Sequence, residues 1–206
     1  MIKLLGRADS SNVRKVLWGL DELGLAYERE DCGGPFGRVD TPEYLRLNPN
    51  GLVPTLVDGD VVVWESNTIL RYLAERQGPS AFGGKTAIAR AQISQWMDWQ
   101  LSSLNAPVHS IFVQLIKVAA DKRDQHAIDA NLETVQKKLA ILNRALPDEG
   151  FLTGSDVTAA DVVIGMMLHR FFSLVAKPAV DPRVVQYHQR LAARPGFKAH
   201  IAIGKP

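Results

Sequence analysis

One cysteine, Cys32, is all the thiol chemistry available in 206 residues. An internal disulfide is therefore excluded, and the chain fits a reducing compartment. Long apolar runs are absent as well: no window reaches the ~18 uninterrupted apolar residues that a membrane helix needs. No signal-like apolar region follows Met1-Ile2-Lys3-Leu4-Leu5, so a soluble, cytoplasmic protein is expected. There is little net charge, 24 basic against 22 acidic residues, and thus no reason to invoke nucleic acid or a membrane surface. Residues 1–80 hold 9 Lys and Arg against 12 Asp and Glu, leaving 15 against 10 for the remainder. Two solvated surfaces of different sign account for that split more readily than the alternative, a polyanion site. The five histidines, His109, His126, His169, His188 and His200, show no ligand spacing, and no metal site is expected. Internal repeats and low-complexity tracts are also missing.

What is present begins with a short buried strand, Ile2–Leu5, ended by Gly6. Val13, Val16, Leu17, Leu20 and Leu23 then form an apolar stripe at helical spacing that stops at Gly24. Residues 25–30 read as a second, weaker strand, so residues 2–31 make a βαβ unit with parallel strands. Residues 55–57 and 61–64 are β-rich apolar runs on either side of Asp58-Gly59-Asp60, a hairpin signal because glycine tolerates a positive φ. Pro54 heads the first run, where its missing N–H takes nothing from the ladder. After Trp64 the period changes, and Ile69, Leu70, Tyr72 and Leu73 mark a helix to about Gln77. Glu65-Ser66 lies where strand becomes helix, with Ser66 the expected N-cap. Backbone N–H groups and the helix dipole would favour a carboxylate there. Between the two units, residues 32–37 must be loop, and Thr41-Pro42-Glu43-Tyr44-Leu45 reads as a capped helical turn.

Gly78-Pro79-Ser80-Ala81-Phe82-Gly83-Gly84 is the clearest linker, dividing a domain over residues 1–77 from one over residues 85–206. Everything after it reads as helix. Residues 87–104 carry Ile88, Ile93, Trp96, Met97, Trp99 and Leu101, and Pro107 is expected to kink their continuation toward Ala120. Another helix starts at Asp124 or Gln125 and ends at Leu146-Pro147. Thr158-Ala159-Ala160-Asp161 is a capping box in its Asp form ahead of an apolar run. Asp181-Pro182 opens the last main helix, and Arg194-Pro195-Gly196 ends it. The fold class expected is an α/β thioredoxin-like N-terminal domain, in the order βαβ-ββα, followed by an all-α C-terminal helical bundle.

In their order and spacing, five segments make the chain resemble the soluble glutathione transferases, of bacterial serine type, over essentially its whole length. They are Ser10-Ser11-Asn12-Val13-Arg14-Lys15-Val16, Asn48-Pro49-Asn50-Gly51-Leu52-Val53-Pro54, Glu65-Ser66, Thr158-Ala159-Ala160-Asp161 and Arg194-Pro195-Gly196-Phe197. Pro54 and Glu65 are 11 positions apart, the interval expected when one hairpin separates two contacts. The resemblance implies glutathione as co-substrate and no metal. It implies that Val53, held by a cis Val53–Pro54 bond, pairs with the glutathione backbone like a strand edge. Glu65 would take the γ-glutamyl ammonium and Ser66 its carboxylate, a role compatible with capping. Asn50 has two roles open to it, a ligand contact or a turn residue chosen for its φ. The family's His or Lys for the glycyl carboxylate falls here on Val39 and Asp40, which cannot serve, and Arg38 is the nearby substitute.

Tyrosine-type members place their tyrosine at the first strand, where this chain has Leu4, Leu5 and Gly6. Cysteine-type members need a thiol at the first helix, and Cys32 lies past the second strand, an incidental thiol. In the theta and delta classes the catalytic serine lies four residues before an arginine, so Arg14 selects Ser10. In the nu class a Thr-x-Asn pair precedes a lysine, which maps onto Ser10 and Asn12 before Lys15. Capping is the other role open to Ser10, and Ser11 reads as a helix cap. A hydroxyl and a helix N-terminus both stabilise a thiolate, whose free thiol has a pKa of about 8.5. The electrophile pocket is expected between residues 7–12 and a helix face carrying Ser103, Ala106, Pro107, Ser110 and Val113, with Phe171 or Phe172.

The function implied is transfer of glutathione to small hydrophobic electrophiles by a cytoplasmic homodimer without nucleic-acid or membrane partners. The alternatives are a glutathione-dependent disulfide-bond reductase of nu type, and a non-catalytic binding protein on the same fold. The serine-cysteine-serine segment of the isomerising zeta class is absent.

Overall fold

The computed structural model describes residues 1–176 and 178–204. In chain order the first half comprises β1 (Ile2–Leu5), α1 (Ser11–Glu22), β2 (Tyr27–Glu30), α2 (Pro42–Leu47), β3 (Thr55–Asp58), β4 (Val61–Trp64) and α3 (Ser66–Arg76). The strands form one mixed sheet in the order β2-β1-β3-β4, with β1 parallel to β2 and antiparallel to β3. Successive residues of a strand face opposite sides. Ile2 and Leu4 accordingly join Val13, Val16, Leu17 and Leu20 of α1 and Ile69 and Leu73 of α3 in one core. Leu5 points the other way, onto Cys32 and Tyr44 of α2. This is the thioredoxin-like arrangement the element order implied.

The second half is helical: α4 (Ala87–Trp99), a π-helical turn (Gln100–Leu104), α5 (Asn105–Phe112), a second π turn (Val113–Lys117), α6 (Gln125–Ala145), α7 (Ala159–Leu174) and α8 (Pro182–Ala192). A last π turn covers Phe197–Ile201. The break expected at Pro107 is the π turn directly upstream of it. Pro107 has no N–H for the Ser103 carbonyl, and the helix widens over Gln100–Leu104 before resuming. α7 is the central helix, buried from Ala159 through Leu168, which is why its sequence is apolar all round. No described helix is long and apolar enough to cross a membrane.

α1 belongs to both halves. One side of it packs on the sheet, while Trp18 is fully buried in the helical core, edge-on to Phe197 with ring centroids 5.2 Å apart. Gly165 of α7 and Gly196 permit that approach: a Cβ would lie 3.0 Å from the Trp18 ring at the first and 2.6 Å at the second. α1 is thereby packed against both halves of the molecule.

Candidate active site

Two helix N-termini meet at the end of the sheet. Ser10 is the N-cap of α1, extended at φ −76° and ψ 123°, and its carbonyl accepts from the Arg14 N–H at 2.9 Å. Its hydroxyl makes no capping bond. The cap expected at Ser11 therefore falls one residue earlier, and Ser11 is the first helical residue. Adjacent serines satisfy the same local preference, so the choice rests on how the preceding loop delivers the chain. That loop is fixed by Gly6 N–H to Glu30 O (2.8 Å) and Arg7 N–H to Cys32 O (3.1 Å), which prolong the parallel pairing. Gly6 lies so close to Val53 that a Cβ there would be 3.2 Å from the Val53 Cβ.

The second N-terminus also departs from expectation. Ser66 is not the N-cap of α3; Glu65 is, at φ 67° and ψ 114°, with its carbonyl accepting from Ile69 N–H at 2.8 Å. β4 runs straight into α3, so one residue absorbs the whole reversal, at a cost on the order of 1 kcal/mol for a non-glycine side chain. Ser66 is thereby buried, and its Oγ donates to Asn12 Oδ1 at 3.4 Å, tying the two N-termini together. Among the described residues the only other non-glycine with positive φ is Arg38, at 71°.

The Val53–Pro54 bond is cis, as the resemblance implied. Val53 is half-buried, and no described residue bonds to its main-chain N–H or C=O. The loop carrying it is pinned from below. Tyr44 Oη donates to Leu52 O at 2.6 Å, and Asn48 Nδ2 donates to Leu52 O at 2.8 Å and to Thr55 Oγ1 at 3.1 Å. Asn50 is exposed and folds back on Asn48, its main-chain N–H and its Nδ2 both 3.1 Å from Asn48 Oδ1, the geometry of a turn residue. Arg38 is ion-paired with Glu30 beyond the loop. Cys32 is buried, and burial pushes its thiol up, against Arg38 and Tyr44, the opposite of what a nucleophile needs.

Sequence reasoning missed the support beneath Glu65 and Ser66. The buried Lys15 Nζ donates to Asn67 Oδ1 at 3.0 Å, and Asn67 Nδ2 donates to Met97 O (3.0 Å) and Gln100 Oε1 (3.3 Å). Burial pushes the Lys15 ammonium down to about 7, with the Glu65 carboxylate opposing and Arg170 reinforcing. No local pattern marks this chain of contacts, because its members come from α1, α3 and the helix beyond the linker.

Ser10, Ser11 and Asn12 open onto a cleft of about 600 Å³ whose far wall is the α5 segment, through Asn105, His109, Phe112 and Ile116. The expected wall of Ser103, Ala106, Pro107, Ser110 and Val113 is not the one found. Pro107 is buried, and Ser110 faces α6, accepting from Asn131 Nδ2 at 3.1 Å. A π turn inserts one extra residue, which rotates the downstream side chains by about 100° relative to an unbroken helix. Phe171 is in the core, and Phe172 packs on His188 with centroids 4.9 Å apart. Arg170 reaches the cleft instead. Among the described residues no group of His, Cys, Asp or Glu could hold a metal ion.

The family description "Glutathione S-transferase, N-terminal domain" matches residues 9–76, and "Glutathione S-transferase, C-terminal domain" matches residues 125–202. The chain is 34% identical to Glutathione S-transferase GstB of Escherichia coli (strain K12) over 98% of its own length and 99% of that protein's. It is 30% identical to Glutathione S-transferase 4 of Zea mays, covering 94% of this chain and 89% of that one. Among solved structures, the theta class glutathione S-transferase from Xanthomonas axonopodis pv. citri with glutathione bound superposes with a TM-score of 0.91 at 35% identity. That match spans 100% of this chain and 99% of the other.

Proposed function

The chain belongs to the glutathione S-transferase family, and from that premise we propose that Ser10 activates glutathione for attack on a small electrophile. Glutathione lies along Val53, with its γ-glutamyl ammonium at Glu65 and its carboxylate at Ser66. The observation that carries this reading is the Ser10 hydroxyl: it stands at a helix N-terminus, spends no bond on capping, and opens onto the cleft. The thiol ionises to solvent, the thiolate attacks the electrophilic carbon, and the leaving group departs with its electron pair. A hydroxyl donor and the first-turn N–H groups of α1 stabilise the sulfur anion. Residues 1–77 form the glutathione-binding domain, 78–84 the linker, and 85–206 supply the electrophile wall. The glycyl carboxylate falls to Arg38, whose guanidinium must share itself with Glu30. Disulfide reduction of the nu type needs Asn12 beside the thiol, but its carboxamide faces Ser66, and conjugation is the reading we favour. Asn50 is a loop residue first and a ligand contact second.

Calorimetry tests the binding assignment. Glu65→Ala and Ser66→Ala should each weaken glutathione by at least about 1 kcal/mol, since each removes a charge-assisted contact. Unchanged affinity in both variants would remove the γ-glutamyl site from this place.

We place the enzyme in the cytoplasm as a symmetric homodimer. Leu52 (63% exposed), Trp64 (38%) and Leu101 (51%) are apolar surface that a twofold contact would cover. Sedimentation at micromolar concentration should give a species of twice the 22.7 kDa chain mass, and only monomer would refute the assembly.

A further inference from the structure

The cleft above Ser10 is strongly cationic. Arg7, Arg14, Lys117 and Arg170 line it, and Asp9, the one acid in its wall among the described residues, is held by Arg7 at 2.8 Å. Arg170 is the informative member. Its guanidinium carbon stands 4.6 Å from the centroid of the Phe112 ring, and its Nε is buried without a hydrogen-bond partner. No described carboxylate or carbonyl accepts from it. Lys117 reaches the same ring, with Nζ 5.8 Å from the centroid, and likewise makes no ion pair among the described residues. Burial holds the Arg170 guanidinium below its ordinary pKa, and the proximity of Arg14 pushes the same way. A half-buried guanidinium whose Nε has no partner is stabilised most by an anion that replaces its lost hydration. An aromatic ring fixing the guanidinium plane leaves its N–H edge free to make a paired contact with a carboxylate.

We propose that the electrophile accepted here carries an anionic group, a carboxylate or sulfonate, bound by Arg170 and Lys117 while its reacting carbon faces the thiolate at Ser10. The proposal rests on the glutathione-transferase reading of the site and names its substrate class. It replaces the purely hydrophobic electrophile the family resemblance implied: Phe112 and Ile116 supply apolar contact, but the charges choose the substrate.

The test pairs 4-chloro-3-nitrobenzoate with its neutral amide, 4-chloro-3-nitrobenzamide. In either, the thiolate attacks the chlorine-bearing carbon, a C–S bond forms, and chloride leaves with the electron pair of the C–Cl bond. With glutathione saturating, kcat/KM for each is divided by its uncatalysed rate. The full-length enzyme should prefer the benzoate at least tenfold, with the preference shrinking as salt is added. Arg170→Met should bring the ratio close to 1, and Lys117→Met should lower it severalfold. Binding supplies a readout free of turnover. The purified carboxylate-bearing glutathione conjugate should bind the native enzyme at least tenfold more tightly than the carboxamide conjugate, and Arg170→Met should erase that difference. Turnover of the amide with no preference for the benzoate overturns this proposal and leaves the transferase reading standing. Turnover of neither, with equal binding of both conjugates, overturns the two together.

Discussion

Asp161→Ala is expected to cost about 3–5 kcal/mol, enough to unfold much of the population of a domain whose net stability is about 5–15 kcal/mol. Asp161 is fully buried at the start of α7 and accepts four hydrogen bonds. Its Oδ2 takes the Thr158 N–H at 2.8 Å and the Thr158 hydroxyl at 2.7 Å, completing the capping box. Its Oδ1 takes the Leu152 N–H at 2.9 Å and the Tyr187 hydroxyl at 2.6 Å, joining α7 to the preceding loop and to α8. Alanine leaves these buried donors without an acceptor, each worth about 1–3 kcal/mol when unsatisfied. Burial pushes the Asp161 carboxyl up, and the four hydrogen bonds pull the other way. Asp161→Asn should do little better, because its amide nitrogen must face two donors. Urea denaturation followed by circular dichroism measures both, and a loss under about 1 kcal/mol for alanine would show that the network is dispensable.

The capping box was legible because its parts lie within four residues, and so was the Asp181 cap, whose carboxylate accepts from Arg183 N–H at 2.9 Å. The same holds for the β3–β4 hairpin, where Gly59 at φ 61° meets the turn the pattern called for. Legibility failed wherever the deciding contact was distant. Glu65 takes the α3 N-cap because β4 enters without a loop, which overrides the preference that pointed to Ser66. Pro107 signalled a break, but not that the helix would widen into the π turn at Gln100–Leu104, which swings Asn105, His109 and Phe112 into the cleft, so helical spacing alone put the wall on the wrong face. Arg170 could not be assigned to the site at all, since 58 residues separate it from the Phe112 ring it stands over. Lys15 was visible only as one position of a family pattern; its burial under Glu65 depends on Asn67 and Gln100.

Ser10→Ala is expected to raise the pKa of the bound glutathione thiol by about 1–2 units, the equivalent of a charge-assisted hydrogen bond of about 1.5–3 kcal/mol. The sign depends on which form the hydroxyl stabilises. It donates to the thiolate, so its removal disfavours the anion and moves ionisation to higher pH. At pH below both pKa values the rate follows the thiolate fraction, so kcat/KM there should fall about 10- to 100-fold, and the deficit should close as pH rises through the two values. Affinity for glutathione near neutrality should change little, because Val53, Glu65 and Ser66 are untouched. Two measurements separate this from a loss of fold: the ultraviolet absorbance of the bound thiolate against pH, and the urea midpoint of the variant. The midpoint should barely move, since the Ser10 side chain makes no capping bond. Ser11 opens onto the same cleft from the first turn of the helix, so Ser11→Ala is the necessary comparison. If Ser11→Ala alone shifts the absorbance curve, the activating hydroxyl belongs to Ser11. If neither variant shifts it, the thiolate is held by the N–H groups of the α1 N-terminus and no serine activates it.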